Sequence, residues 1–265
     1  MPERTGYTHG TPSWVDLGTT DVEGAKTFYA AVFGWEAQDL PTDMGVPYTM
    51  FSKGGKAVAG MGPIPTDQAA AGMPPVWSTY LAVDDVDGAV AKVKEAGGSV
   101  IMDVMDVMDT GRMAFIADPT GAAIGLWQSG SHFGAELVNE PGAFVWNELI
   151  TDDISAAEAF YSAAFDLIPK TMQGATGPYT MFFIDGVKNP VAGMLPKNEN
   201  MGPIPNYWGT YFAVEDCDAS LETVEANGGR VLMQPMDIPD FGRMAVVQDP
   251  QGAMMSVIAL SGPQE

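Results

Sequence analysis

Gly111 to Gln128 reads GRMAFIADPTGAAIGLWQ, and Gly242 to Ala259 reads GRMAVVQDPQGAMMSVIA. Over the first thirteen positions eight residues are identical: Gly, Arg, Met, Ala, Asp, Pro, Gly and Ala. Chance gives about one match, so the chain carries a duplication. Each copy reads as strand, turn, strand. Asp118, Pro119 and Gly121 take the first, second and fourth turn positions, the composition of a type I β-turn.

The duplication extends outward. FYAAVF at 28–33 returns as FYSAAF at 160–165, and VAGM at 58–61 returns at 191–194. Trp77-Ser78-Thr79-Tyr80 matches Trp208-Gly209-Thr210-Tyr211. Residues 12–19 alternate as a strand does. Thr20 to Glu23 resembles a capping box and Gly34 a helix stop, with Val22, Ala25, Phe28, Tyr29, Val32 and Phe33 on one helical face. Strands near 35–39, 46–52 and 56–62 complete a β-α-β-β-β unit. Met61 to Pro75 is rich in Pro, Gly and Ala and reads as a loop.

A second unit follows. Strand 77–83 leads to Asp84 and Asp85 as caps. The helix stops at Gly97-Gly98, and strands 99–104, 112–117 and 122–128 close the unit. The second half repeats the plan from strand 143–150, with helices opened by Asp152/Asp153 and by Asp216. The fold class is therefore α+β, with four β-α-β-β-β modules. Residues 1–129 form a first domain, 130–141 a linker and 142–265 a second domain.

A hydrophobic fraction of 46% over 265 residues suits proper cores in a soluble chain. No apolar run approaches the ~20 residues of a membrane helix. The polar start, MPERTGYTHG, has no secretory h-region. A single cysteine, Cys217, forms no intrachain disulfide, which sets a cytoplasmic expectation. Twelve Lys plus Arg against 34 Asp plus Glu give a net charge of −22, which repels phosphate backbones. Nucleic acid and membrane are thus not expected partners. A small molecule is.

The strand before Asp21 with its FYxxxFGW helix (Phe28 to Trp35), WSTYLAVDDVD at 77–87 and FIADPTGAAIGLW at 115–127 resemble the vicinal oxygen chelate superfamily. That superfamily holds glyoxalases, bleomycin-resistance proteins and extradiol dioxygenases. The likeness covers almost the whole chain and is closest to the two-domain type that includes a 27 kDa mycobacterial antigen. Members of that type are labelled glyoxalase-like proteins or hydroxylases. The resemblance implies two modules per half, curled into a sheet around a cavity.

In metal-dependent members one ligand stands seven residues before the helix-capping Asp. That position falls on Trp14, Ser78, Trp146 and Gly209. The ligand Glu expected after the DPxG turn falls on Gly125 and Ser256. The strands near 56–62 and 187–195 hold no carboxylate. Indole offers only a donor, and neutral Ser is a poor ligand for zinc, iron or manganese. The two histidines, His9 and His132, precede the first strand and sit in the linker. The expectation is a protein with no metal and no cofactor.

Residues two apart on a strand share a face. If Trp14 faces the cavity, so does Asp16, and Trp146 brings Glu148. The expected lining is Trp14, Met50, Ser78, Tyr80, Met113 and Trp127 in the first half, and Trp146, Met181, Tyr211 and Met244 in the second. Such aromatics read either as pocket or as plain core. Asp16 and Glu148 are candidate general bases or cation holders, or ordinary partners of an Arg or a backbone N–H at the rim. Arg112 binds a substrate carboxylate or carbonyl, or pairs with Asp109 or Asp118; Arg243 pairs with Asp240 or Asp249. Asp118 and Asp249 read as turn formers. Cys217, just after Asp216, reads as a buried thiol or one lowered by the helix dipole.

Two functions follow. One is a metal-independent binder that holds an aromatic or cationic metabolite or drug, as bleomycin-resistance members do by sequestration. The other is a metal-free tailoring enzyme of secondary metabolism, of lyase, isomerase or hydroxylase type, using Asp16 or Glu148 with Tyr80 or Tyr211. A metal-dependent lyase or dioxygenase ranks last. The internal pseudo-twofold allows a monomer in place of a homodimer.

Overall fold

The computed structural model describes residues 3–43, 45–174, 177–198 and 201–262. Residues 1–2 and 263–265, the outer ends of the two expected domains, lie outside the described residues. The first module comprises β1 (Pro12–Thr19), α1 (Val22–Phe33), β2 (Glu36–Leu40), β3 (Tyr48–Lys53) and β4 (Lys56–Pro63). After a short α2 (Thr66–Ala70) come β5 (Val76–Ala82), α3 (Val86–Glu95), β6 (Ser99–Val107), β7 (Gly111–Ala117) and β8 (Ala123–Ser129). The third module has β9 (Phe144–Thr151), α4 (Ile154–Phe165), β10 (Ile168–Gly174), β11 (Gly177–Phe183) and β12 (Ala192–Pro196). The fourth has β13 (Tyr207–Ala213), α5 (Cys217–Ala226), β14 (Arg230–Ile238), β15 (Gly242–Gln248) and β16 (Met254–Leu260). Among the described residues no helix is long and apolar enough to cross a membrane.

Two mixed eight-stranded sheets result, ordered β2-β3-β4-β1-β5-β8-β7-β6 and β10-β11-β12-β9-β13-β16-β15-β14. The opening strands of two modules meet antiparallel at the centre of each sheet, β1 on β5 and β9 on β13. Each then takes the last strand of its own module in parallel: β1 with β4, β5 with β8, β9 with β12, β13 with β16. A parallel neighbour requires a long crossover, which the module's helix and hairpin supply. The four modules read from the repeats are thus present.

The helix starts are set by aspartates. Asp21, Asp85, Asp153 and Asp216 each accept a backbone N–H of the first turn, from Gly24, Asp87, Ala156 and Ala219. The expected capping box began at Thr20; the cap is Asp21, one residue later. Gly34 closes α1 in the left-handed region, φ 70°, as a glycine stop should. The loop expected over Met61 to Pro75 is corrected: β4 runs to Pro63, and Thr66–Ala70 winds one helical turn between Pro65 and Ala71. That helix buries none of its residues, so no apolar period announces it.

The cores do not follow the halves. One apolar cluster joins Val15, Leu17, Phe28, Tyr29 and Phe51 of the first module to Phe212, Leu221, Val224 and Val257 of the fourth. The other joins Leu81, Val90, Ile116 and Leu126 of the second module to Leu149, Phe160, Tyr161 and Phe182 of the third. Helix α1 accordingly lies against α5, and α3 against α4. Two buried hydrogen bonds, Tyr29 to Asp249 and Tyr161 to Asp118, cross the same boundary, and each phenol also receives an indole N–H from its own half. Tyr29 donates to Asp249 Oδ2 at 2.9 Å and receives Trp77 Nε1 at 3.0 Å. Tyr161 donates to Asp118 Oδ2 at 3.0 Å and receives Trp208 Nε1 at 2.8 Å.

Segment 130–141 is stitched to the first sheet. Ala135 N donates to Ser13 O and Glu136 N to Ala57 O, both at 2.8 Å.

Candidate functional site

Strand alternation puts Val15 and Leu17 on one face of the first sheet, packed with Phe28 and Tyr29 of α1, and Trp14, itself buried, and Asp16 on the other. Across the sheet Asp16 stands beside Gly60 on β4 and Ser78 on β5, while Trp14 pairs with Tyr80, and Tyr80 with Gly125 on β8. The side chains converge. Tyr80 Oη donates to Asp16 Oδ2 at 3.0 Å, and Tyr48 Oη reaches the same oxygen at 3.4 Å. Trp14 Nε1 donates to Tyr48 Oη at 3.0 Å. The result is a carboxylate with both phenols on one oxygen and an indole behind one of them.

The second cup repeats the figure. Glu148 stands beside Gly193 and Gly209, and Trp146 pairs with Tyr211, which pairs with Ser256. Tyr211 Oη donates to Glu148 Oε2 at 2.7 Å, and Trp146 Nε1 donates to Tyr179 Oη at 2.9 Å. Tyr179 also stands near enough to Glu148 for its hydroxyl to favour the carboxylate. Glycine is what admits the phenols. A Cβ on Gly60 would land on the Tyr48 hydroxyl, one on Gly193 on the Tyr179 hydroxyl, and one on Gly125 on the Tyr80 ring.

Of the residues expected from sequence, the structure joins Trp14, Asp16 and Tyr80 in one cluster and Trp146, Glu148 and Tyr211 in the other. Ser78 neighbours Asp16 on the sheet without a hydrogen bond to it. Met50 lies across Gly60, and Met181 across Gly193. Met113 pairs with Trp127, and Met244, which is buried, with Ile258. Trp127 donates to His132 O at 2.9 Å and belongs to neither carboxylate cluster.

Three expectations need correction. Asp16 and Glu148 meet phenols, not an Arg or a backbone N–H. Arg112 pairs with Asp87 and Asp106, and Arg243 with Asp218 and Asp237, not with the turn aspartates. The partners come from the facing strand and from the first turn of the helix over it, so nearness in sequence misled. His132 is not remote from the site: its ring meets Trp14 edge-on at 4.6 Å. Burial holds His132 below the ordinary imidazole range, against the opposing charge of Glu136. Cys217 is buried, and burial pushes its thiol up, against the direction a helix dipole alone would give. Asp118 and Asp249 do form their turns: each accepts backbone N–H groups, from Thr120 and Ala122 in one and from Gln251, Gly252 and Ala253 in the other.

Tyr48 and Tyr179 were absent from the expected lining. PYTMF at 47–51 recurs at 178–182 and was the signal that could have found them.

The carboxylates are held far from water's comfort. Asp16 keeps some accessible surface, yet protein encloses its carboxyl; burial raises it to about 6 against the pull of hydrogen bonds from Tyr80 and Tyr48. Glu148 is raised in the same way, against Tyr179 and Tyr211. Burial, then the Asp16 charge, lifts Tyr48 and Tyr80 well above the usual phenol range. The folded protein therefore binds the Asp16 proton more tightly than the unfolded chain does. Its ionisation costs stability progressively as pH rises from about 4 to above 6, up to about 3 kcal/mol. Asp16→Asn is expected to gain on the wild type over that interval. Urea unfolding of both proteins at pH 4.5 and pH 8 checks this; an unchanged difference would show that Asp16 is solvated.

Metal-dependent members of the resembled superfamily need several imidazole or carboxylate donors on these strands. Each cup supplies one carboxylate, with phenol, indole, hydroxyl or bare glycine around it, and the first adds a single imidazole, that of His132 against Trp14. Among the described residues no three His, Cys, Asp or Glu side chains stand close enough to share an ion. The donor set does not fit a zinc, iron or manganese centre of that type.

The sequence profile of the glyoxalase/bleomycin resistance protein/dioxygenase superfamily matches residues 11–126 and again 142–257. The chain is 49% identical to "Putative glyoxylase CFP32" of Mycobacterium bovis, over 97% of this chain and 98% of that one. It is 40% identical to the anthracycline biosynthesis protein DnrV of Streptomyces peucetius, over 97% and 95%. Among solved structures it resembles the Mn(II)-bound glyoxalase from Novosphingobium aromaticivorans, with TM-score 0.64 and 15% identity over 97% of this chain and 86% of that one. It also resembles the 2,3-dioxygenase LapB from Pseudomonas sp. KL28, with TM-score 0.65 and 12% identity over 97% and 94%. These structural likenesses carry the fold alone. Matched over both halves and through nearly its whole length, the chain belongs to the glyoxalase/bleomycin resistance protein/dioxygenase superfamily.

Proposed function

We propose that the protein binds a small aromatic or cationic metabolite or drug in its two cups, without a metal ion. One observation carries the reading. In the first cup both phenols bond the same carboxylate oxygen, Asp16 Oδ2, which leaves Oδ1 to accept a hydrogen bond from a ligand. A carboxylate acceptor framed by aromatic rings suits a ligand that brings an O–H or N–H donor on an aromatic body. The similarity to an anthracycline biosynthesis protein supports an aromatic, phenolic ligand. The half-buried Met50, Met113, Trp146, Met181 and Tyr211 would flank it, with Ser78, Tyr80, Trp127 and Met244 behind.

Titration with a polyhydroxylated anthraquinone tests this, in chelator-containing buffer, by calorimetry. Saturable binding that survives chelation is the expected result. Asp16→Asn with Glu148→Gln is expected to weaken it by roughly tenfold or more, the worth of a charged hydrogen bond. A near-stoichiometric transition metal in protein purified without chelator, with binding lost on its removal, would overturn the proposal.

A second reading, a metal-free tailoring enzyme, is favoured by the Asp16 carboxyl near 6, where a group can both give and take a proton at neutral pH. Product formation that disappears in Asp16→Asn while affinity stays would select it. Both readings take the protein as cytoplasmic, and as a monomer with an internal pseudo-twofold or a homodimer.

A further inference from the structure

The second cup holds a third phenol. On β13 Trp208 packs into the core with Phe160 and Tyr161 of α4, so Tyr207, Gly209 and Tyr211 share the face that carries Glu148. Gly209 stands across from Glu148, and Tyr207 across from Ile150, two residues further along β9. The Tyr207 ring leans back over Gly209: a Cβ added to that glycine would sit 3.4 Å from Tyr207 Cε2. Burial, then the charge of nearby Glu148, pushes the Tyr207 phenol up, so it stays a proton donor at neutral pH.

The other two phenols are engaged. Tyr211 donates to Glu148, and Tyr179 receives the Trp146 indole. The Tyr207 hydroxyl has no hydrogen-bond partner among the described residues, yet it is not one of the sealed polar atoms left without one. It is therefore a half-buried donor open to what enters the cup, beside a carboxylate acceptor. The first copy has nothing equivalent. Val76 and Ser78 occupy the matching positions, and Val76 brings no polar atom. The exchange of Ser78 for Gly209 accompanies the exchange of Val76 for Tyr207, and the bare glycine is what leaves room for the ring.

On the reading of the cups as ligand sites, we propose that Tyr207 sets the specificity of the second cup by donating a hydrogen bond to a ring carbonyl of the ligand, while Glu148 accepts a neighbouring ligand hydroxyl. The ligand class is then a hydroxylated quinone or aryl ketone, with acceptor and donor on adjacent positions of one fused ring system.

Asp16→Asn weakens the first cup and leaves the second to be read by calorimetry. In that protein a polyhydroxylated anthraquinone is titrated beside the anthracene that carries the same hydroxyls and no ring carbonyls, under argon. Tyr207→Phe keeps the ring and removes one oxygen. It is expected to weaken the anthraquinone roughly tenfold and to leave the anthracene unchanged. In Glu148→Gln protein, where the first cup is read, Tyr207→Phe should change neither ligand. Equal loss of both ligands, loss of neither, or a loss in the Glu148→Gln background would overturn the role of Tyr207 and leave the cups as binding sites. No anthraquinone binding by the unaltered protein would overturn the role of Tyr207 and the cups together.

Discussion

Replacing Asp118 with Ala is expected to destabilise the protein by about 3–5 kcal/mol, and both halves are expected to unfold together. Asp118 is buried. Its Oδ1 accepts Thr120 N at 2.8 Å, Thr120 Oγ1 at 2.7 Å and Ala122 N at 3.1 Å. Its Oδ2 accepts Tyr161 Oη from the other half at 3.0 Å. Alanine would strand a buried phenol and the N–H groups of a tight turn, and each unsatisfied group costs its full desolvation. Asp118→Asn should cost less, because an amide oxygen can still accept. Scanning calorimetry should show one transition lowered by roughly 10 °C. Two transitions, with only one displaced, would refute the shared core. Asp249→Ala is expected to behave alike through Tyr29.

The second large effect is at Gly60. Adding one methyl there should displace Tyr48 from Asp16 and from Trp14, since the new carbon would occupy the place of the Tyr48 hydroxyl. Gly60→Ala is expected to lower anthraquinone affinity at the first cup by roughly tenfold or more. Gly193→Ala should do the same at the second, where the new carbon would also sit 2.7 Å from Trp146 Nε1. Calorimetric stoichiometry should drop by one site in each single variant. Gly62→Ala is the control: its Cβ would meet only Tyr48 Cδ2, at an ordinary 3.8 Å. If Gly60→Ala and Gly62→Ala bound ligand equally well, the phenol-carboxylate cluster would not be the binding site.

Much of the fold was legible because its signals are local. Asp before each helix, glycine after α1 and the DPxG turns fix chain direction over a few residues. The seats of Asp16 and Glu148 were legible too, from alternation within one strand. Tyr48 was not. It reaches Asp16 from β3 across β4, through the gap left by Gly60, and no pattern within a single strand reports what a neighbouring strand lacks. The bond from Tyr29 to Asp249 spans 220 residues and joins different halves, so composition and spacing are silent on it. By sequence His132 belongs to the linker. Only the hydrogen bonds that fasten this segment to β1 and β4 bring it to Trp14.

The interleaved cores have a consequence for how the two copies can drift apart. The residues that lock one half to the other are the same in both, Tyr29 to Asp249 and Tyr161 to Asp118, each phenol steadied by an indole of its own half, Trp77 or Trp208. On the faces that carry the carboxylates the copies differ: Asp16 against Glu148, Ser78 against Gly209, Gly125 against Ser256. Scaffold and proposed binding face occupy opposite sides of each sheet, so selection can retune either face without loosening the clasp that keeps the duplicated chain whole.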